Sequence, residues 1–106
     1  MNTEMSLEAV AMLRESASKA CSLLKVLANE DRLLLLCQLA EGEFNVGELE
    51  QRVGIRQPTL SQQLGVLREE GMVNIRREGK YIYYSMARHD VTQIMGTLYE
   101  LYCENN

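Results

Sequence analysis

The stretch GIRQPTLSQQLGVLREEGMV, residues 54–73, decides the fold, because it contains a turn, a helix and the signal that ends the helix. Pro58 fits the first position of a helix, and Gly71 fits the position just after its C-terminal end. Leucines at helical spacing mark an inward side, whereas the opposite side carries short, uncharged amide and hydroxyl groups. A merely solvated face would favour long charged helix formers, so this face is typical of a helix that contacts a polar partner.

A shorter helix precedes this one, and a turn containing a glycine joins the two. Asn45 followed by Glu48 has the pattern of a capping box, which predicts a helix from that point to Arg52. Two short helices joined by a turn of about three residues predict a helix-turn-helix over residues 45–71.

Two further helices are predicted upstream. Apolar residues recur every three or four positions over residues 6–28, which predicts a long amphipathic helix. Asn29 then fits an N-cap, and residues 30–40 are apolar on most sides, as in a buried helix.

Beyond Gly71 the periodicity changes from helical to alternating. This predicts a β-hairpin over residues 73–85 with Gly79 in its turn, followed by a last helix over residues 88–103. The order α-α-α-α-β-β-α is mainly α and is that of a winged helix-turn-helix, which we expect to occupy residues 1–106 as a single domain.

The charge is distributed unevenly along the chain. The net charge is −4 overall, but it is −5 over residues 1–50, +3 over residues 51–80 and −2 over residues 81–106. The basic excess coincides with the hairpin and with the second helix of the helix-turn-helix, here called the reading helix. This permits a local anion-binding surface. On charge alone, chance clustering of solvated residues explains the pattern equally well.

The chain has no sign of secretion or membrane insertion. Its longest apolar run, Leu33–Cys37, is far too short to span a bilayer, and the N-terminus lacks a secretory pattern. Three widely spaced cysteines do not make the disulfide framework of a small secreted protein. We therefore expect a cytoplasmic protein with no membrane partner.

The outward face of the reading helix suits the edges of DNA bases. Gln can pair bidentately with adenine in the major groove, Ser and Thr can contact bases or phosphates, and a basic hairpin can contact phosphate as a wing. The alternatives are a polar solvated helix face and a hairpin whose charges resist aggregation. The candidate DNA-binding residues are Arg56, Gln57, Thr59, Ser61, Gln62, Gln63, Arg68, Arg76, Arg77 and Lys80.

Three segments carry a resemblance to a known family: LLLLCQL (33–39), GELEQRVGI (47–55) and QPTLSQQLGVLRE (57–69). With them, the chain from about Ser18 to Cys103 resembles the ArsR/SmtB family of bacterial winged-helix repressors, and within it the BigR and SqrR type. The resemblance implies a homodimer formed through the first and last helices and bound to palindromic operator DNA. It also implies that persulfides or polysulfides derived from hydrogen sulfide bridge Cys37 to Cys103 and release the DNA.

Local charges do not favour ionisation of this cysteine pair. Cys103 lies between two glutamates at the negative end of its predicted helix, and Cys37 has Glu41 four residues on. Cys21 has Lys25 four residues on, which favours its thiolate, but it lies outside the two-cysteine pattern. We expect Cys21 to be a bystander.

A zinc-binding or enzymatic function would need different residues in the sequence. His89 is the chain's one histidine, so a zinc site in the last helix cannot be assembled, and no cofactor is expected. Arsenite, another thiophilic metal ion or a general oxidant acting on the same two thiols stays open as the effector. A thiol enzyme would need a C-x-x-C motif or a cysteine beside a general base, so we expect no enzyme. A winged domain that binds protein in place of DNA is a further alternative.

Overall fold

The fold follows the predicted order of elements, with one added strand. The computed structural model describes residues 6–104. Its elements are α1 (Leu7–Leu27), α2 (Glu30–Leu39), β1 (Phe44–Asn45), α3 (Val46–Val53), α4 (Thr59–Glu69), β2 (Val73–Glu78), β3 (Tyr81–Met86) and α5 (His89–Tyr99), which a π-helical turn extends over Glu100–Glu104. The predicted mainly α, winged helix-turn-helix fold is confirmed.

Helix starts are fixed by side-chain caps. The Asn29 side chain accepts a hydrogen bond from the backbone N–H of Arg32 at 3.0 Å, and Asn45 and Glu48 form the predicted capping box. Pro58 differs from expectation, since it is the N-cap of α4 and the helix begins one residue later. The side-chain caps therefore fix the starts of α2 and of α3, the first helix of the helix-turn-helix.

The hydrophobic core lies among α2, α3, α4, α5 and the sheet. Its most buried side chains are Leu35, Leu36, Leu49, Leu60, Leu64, Leu67, Val91 and Met95. Full burial of one such side chain contributes about 1.5–3 kcal/mol, so the leucine stripe of α4 holds that helix firmly with its other side outward.

The sheet is antiparallel with strand order β1-β3-β2. Arg76 of β2 lies opposite Tyr83 of β3, and Gly79 occupies the hairpin turn with φ +60°. Strand β1, which pairs Phe44 with Tyr84, was not predicted, because two residues are too few to show an alternating pattern.

Helix α1 projects from the core. It buries only Val26 and Leu27, whereas Leu7, Leu13 and Leu24 are 89%, 58% and 56% exposed. The radius of gyration of 16.9 Å exceeds the roughly 13 Å of a compact domain of this length. An apolar side of α1 is therefore uncovered in the single chain. None of the helices within residues 6–104 is both long and apolar enough to cross a membrane.

The expectation that α2 is buried on most sides is wrong in part. Leu35, Leu36 and Leu39 are buried, but Leu34 is 47% exposed and Cys37 is half-buried. The packing of α2 leaves one of its apolar sides open, which a pattern apolar all round could not reveal.

Candidate nucleic-acid interface and thiol site

The N-terminal half of α4 presents polar side chains away from the core. Ser61 and Gln62 are exposed, opposite the buried leucine stripe. The side-chain oxygen of Gln57 accepts hydrogen bonds from the backbone N–H of Ser61 at 3.2 Å and from its Oγ at 2.6 Å. Gln57 therefore caps the first turn of α4, and its oxygen is already occupied.

The two adjacent glutamines of α4 lie in different surroundings. Gln63 is half-buried on the flank, where its Oε1 accepts a hydrogen bond of 2.9 Å from Nη1 of Arg32. Gln62 points outward, and its amide makes no hydrogen bond to any residue within 6–104. Only Gln62 of this pair keeps both amide groups available for a base edge.

Thr59 lies half-buried at the first turn of α4. The remaining candidate cations lie before, within and after α4 along the chain. Arg56 precedes α4, Arg68 lies in its last turn, and Arg77 and Lys80 belong to the hairpin. These four side chains are exposed.

Arg76, in contrast, is engaged within the protein. Its guanidinium pairs with Glu43 at 2.8 Å and with Glu78 at 2.7 Å, and lies 4.7 Å from the centre of the Tyr83 ring. The hydrogen bond from Arg76 lowers the pKa of Glu43, and the two carboxylates raise the pKa of Arg76. Because two anions already offset its charge, we expect Arg76 to contribute less to phosphate binding than Arg77.

The thiols of Cys37 and Cys103 lie within electrostatic reach of each other. Burial raises the pKa of Cys37, and the negative charges of Cys103 and then Glu41 raise it further. The effect of Glu41 was predicted from the sequence, whereas the larger effect of burial was not, because it depends on how α5 packs on α2. These two residues, here called the thiol site, lie in the middle of α2 and near the end of the last helix, and the charge of Cys103 affects the pKa of Cys37.

The two thiols of this site differ in access. Cys37 is half-buried and its Sγ donates a hydrogen bond to Sδ of Met95 at 3.7 Å, whereas Cys103 is exposed. Both are free thiols, and so is Cys21, which is exposed on α1. Nothing places Cys21 beside the other two.

The start of α5 is organised around an ion pair. Nη2 of Arg88 contacts Asp90 at 2.6 Å, and the Arg88 guanidinium lowers the pKa of that carboxyl. The described part of the chain contains no cluster of three or more His, Cys, Asp or Glu side chains that could hold a metal ion. His89 precedes Asp90, whose carboxylate is already paired with Arg88.

Sequence reasoning missed Arg32, which lies in α2 and makes hydrogen bonds to α1 and α4. The contact with Gln63 joins residues of helices far apart in the chain, so no local pattern announces it. The one available sign was an arginine three residues after the Asn29 N-cap, which alone indicates nothing about function.

Comparison with known proteins gives a consistent family. Residues 29–74 match the family described as bacterial regulatory protein, arsR family. The chain is 52% identical over 91 residues to the biofilm growth-associated repressor of Agrobacterium fabrum, covering 86% of this chain and 78% of that protein. It is 40% identical over 94 residues to the transcriptional activator HlyU of Vibrio cholerae, covering 89% and 87%.

Solved structures agree with the fold. The crystal structure of the transcriptional repressor BigR from Xylella fastidiosa matches with a TM-score of 0.83 at 48% identity, covering 93% of this chain and 98% of that chain. Reduced HlyU from Vibrio cholerae matches with a TM-score of 0.83 at 40% identity, covering 88% and 98%.

Proposed function

The chain belongs to the ArsR family of bacterial regulatory proteins, and we propose that it is a homodimeric repressor whose DNA affinity falls when sulfur atoms bridge Cys37 and Cys103. Persulfides or polysulfides derived from hydrogen sulfide would supply the sulfur. The observation that carries the proposal is the placement of the two thiols: Cys37 contacts Met95 of α5, and Cys103 lies in the extension of that same helix, where its charge raises the pKa of Cys37. Its relatives are named as transcriptional regulators, and the chain is accordingly a DNA-binding regulator and not an enzyme.

The exposed polar side of α4 supports the DNA-reading part of the proposal. Gln62 presents an unengaged amide, and Arg77 and Lys80 present charges at the hairpin. Two copies related by a two-fold axis would place two such helices in successive major grooves, about 34 Å apart. The expected operator is therefore palindromic.

The apolar side of α1 supports the dimer. Leu13 and Leu24 remain more than half exposed in the single chain, and Tyr99 and Leu101 near the chain's other end are 57% and 61% exposed. Monomeric proteins rarely expose large contiguous apolar patches. A second copy that packs its own first and last helices on these residues would cover them.

The difference in access between the two thiols sets the order of the chemistry. The Cys103 thiolate, being exposed, attacks a sulfane sulfur of a polysulfide; one S–S bond of the polysulfide breaks and its electron pair leaves with a sulfur anion. Where the Cys103 adduct carries two or more added sulfurs, the Cys37 thiolate then attacks the one bonded to Sγ of Cys103 and expels the rest as a sulfur anion, leaving a trisulfide bridge. Attack on Sγ of Cys103 instead expels all the added sulfur as an anion and gives a disulfide. Either way, two thiolates lose two electrons and the polysulfide accepts them.

Such a bridge would fasten the middle of α2 to the end of the last helix. Because the last helix also belongs to the proposed dimer contact, the bridge would change the spacing or tilt of the two α4 helices. Allosteric couplings of about 1–3 kcal/mol correspond to a fall in affinity of about 5- to 150-fold. The two α4 helices must reach half-sites at a fixed spacing, so a small rotation of either one weakens simultaneous binding.

Mass spectrometry of polysulfide-treated protein tests the chemistry. We expect a crosslink between the peptides of Cys37 and Cys103 within one chain, with one or more added sulfur atoms. A crosslink through Cys21 would overturn the assignment. Parallel treatment with arsenite and with hydrogen peroxide compares the other effectors: release of DNA by arsenite alone would favour a thiophilic-ion regulator built on the same two thiols.

A further inference from the structure

One guanidinium joins three helices at the point where α1 meets α2. Arg32 lies in the first turn of α2 and donates from Nε to the carbonyl of Val26 at 2.6 Å and from Nη2 to that of Lys25 at 3.4 Å. From Nη1 it donates to Oε1 of Gln63 on α4 at 2.9 Å. Arg32 thus makes side-chain hydrogen bonds to both α1 and α4.

The surroundings of Arg32 hold it in this place. Lys25 and Val26 lie in the last turn of α1, where carbonyl groups lack partners within the helix and the helix dipole favours a cation. The backbone N–H of Arg32 is itself bound by the Asn29 cap at 3.0 Å. Both ends of the residue are therefore fixed, which leaves the Nη1 group aimed at α4.

This contact fixes the orientation of the Gln63 amide. A guanidinium carries only donors, so the amide must turn its oxygen toward Arg32 and its NH₂ group away. A bidentate pair with adenine needs both the oxygen and the NH₂ group of a glutamine. The orientation of the Gln63 amide is therefore set by Arg32, whereas the side-chain amide of Gln62 makes no hydrogen bond within residues 6–104 and is free to turn toward a base.

We propose that Arg32 is a positioning residue for the recognition helix α4. Through its hydrogen bond to Gln63 it holds α4 against the junction of α1 and α2. Gln62 then faces the bases, and Gln63 has a structural role. The inference rests on the proposed DNA-binding function. It assigns to Gln63 a role different from the base-reading role predicted from the sequence. It also joins α4 by a hydrogen bond to α2, the helix that carries Cys37.

A double-mutant cycle on DNA binding tests this role. The probe is a duplex selected from a random-sequence library by the reduced wild-type protein. Dissociation constants are measured for the wild type, Arg32→Ala, Gln63→Ala and the double variant. We expect each single change to weaken binding about fivefold or more, and the double change to weaken it no further than the larger single change.

Two additional readouts separate positioning from other roles. Arg32→Ala should leave the salt dependence of binding unchanged, whereas loss of a phosphate contact would reduce the slope by about one. Gln38→Ala is the matched control, because it removes a comparable 3.2 Å hydrogen bond between α2 and Arg52 of α3. This control should bind within about twofold of the wild type. If Arg32→Ala does not fold, Arg32→Lys replaces it, since an ammonium keeps the charge but lacks the planar fork.

The outcomes are distinguishable from failure of the proposed function. Additive effects of the two single changes, or a reduced salt slope for Arg32→Ala, would overturn the positioning role while leaving DNA binding intact. Failure of the wild type to select any duplex would overturn the proposed function and this inference together.

Discussion

The Cys37 thiol donates a hydrogen bond to the thioether sulfur of Met95, with 3.7 Å between the two sulfur atoms. Met95 is 2% exposed, so this contact lies where α5 packs on α2. The packing places the middle of α2 against α5, whose π-helical extension carries Cys103. It also leaves Cys37 less accessible and harder to ionise than an exposed thiol.

The first prediction concerns the relative reactivity of these thiols. At pH 7–8, iodoacetamide should label Cys103 faster than Cys37, because Cys37 is half-buried and its pKa is raised. The labelling rate of Cys37 should still rise above pH ~8.5, the ordinary thiol pKa. Peptide mass spectrometry at timed intervals measures both rates. Faster labelling of Cys37 would reverse the proposed order of attack.

The raised pKa of Cys37 also makes the stability of the folded protein depend on pH. Since the folded-state pKa of Cys37 is raised, the unfolded thiol ionises first, and folding loses stability as pH rises through and above the unfolded value of about 8.5. Cys37→Ser should therefore show less loss of stability between pH 8 and pH 10 than the wild type does. Urea unfolding at each pH measures the difference.

The second prediction concerns base reading by α4. Gln62→Ala should weaken binding to the selected duplex by about 1–3 kcal/mol and relax the preference at one base pair of each half-site. Gln51→Ala, an exposed glutamine of α3, is the control and should bind like the wild type. Competition with single-base variants of the duplex provides the measurement. Unchanged discrimination in Gln62→Ala would show that this amide does not read a base.

The third prediction separates two adjacent arginines of the wing. Arg77→Ala should reduce the slope of log affinity against log salt by about one, as expected for a lost phosphate contact. Arg76→Ala should change the slope less, because Glu43 and Glu78 already offset its charge. Equal changes in the two slopes would mean that Arg76 leaves its carboxylate partners when DNA binds.

The fourth prediction concerns the dimer. Leu13→Glu should shift the protein toward monomer and weaken DNA binding, because Leu13 lies on the uncovered apolar side of α1 and is 58% exposed in the single chain. Arg14→Glu changes the charge of the neighbouring exposed residue by two negative units, one more than Leu13→Glu does, and so controls for the charge change. Sedimentation equilibrium measures the assembly. A Leu13→Glu protein that remains dimeric would place the interface elsewhere.

The features that were predictable from the sequence depend on neighbouring residues. The Asn29 and Asn45 caps and the stop at Gly71 arise within a few positions, so a local pattern identifies them. The leucine stripe of α4 likewise fixes its inward side.

The features that escaped prediction join distant segments. The Arg32–Gln63 hydrogen bond and the Arg76–Glu43 ion pair each connect residues about thirty positions apart, and they change which side chains are available to DNA. Sequence separation also could not show whether Cys37 and Cys103 lie close together; the expectation that they do came from the family resemblance. Burial of a cysteine depends on the packing of every helix around it.

The proposed switch requires that a sulfur bridge between Cys37 and Cys103 lowers the affinity of the protein for its DNA. The direct measurement is the dissociation constant of the Cys21→Ser protein for its selected duplex, before and after polysulfide treatment, by fluorescence anisotropy. We predict a fall in affinity of about 5- to 150-fold that a dithiol reductant reverses and that Cys37→Ser or Cys103→Ser abolishes. Equal affinity of the reduced protein and the fully bridged protein, verified by mass, would contradict the account.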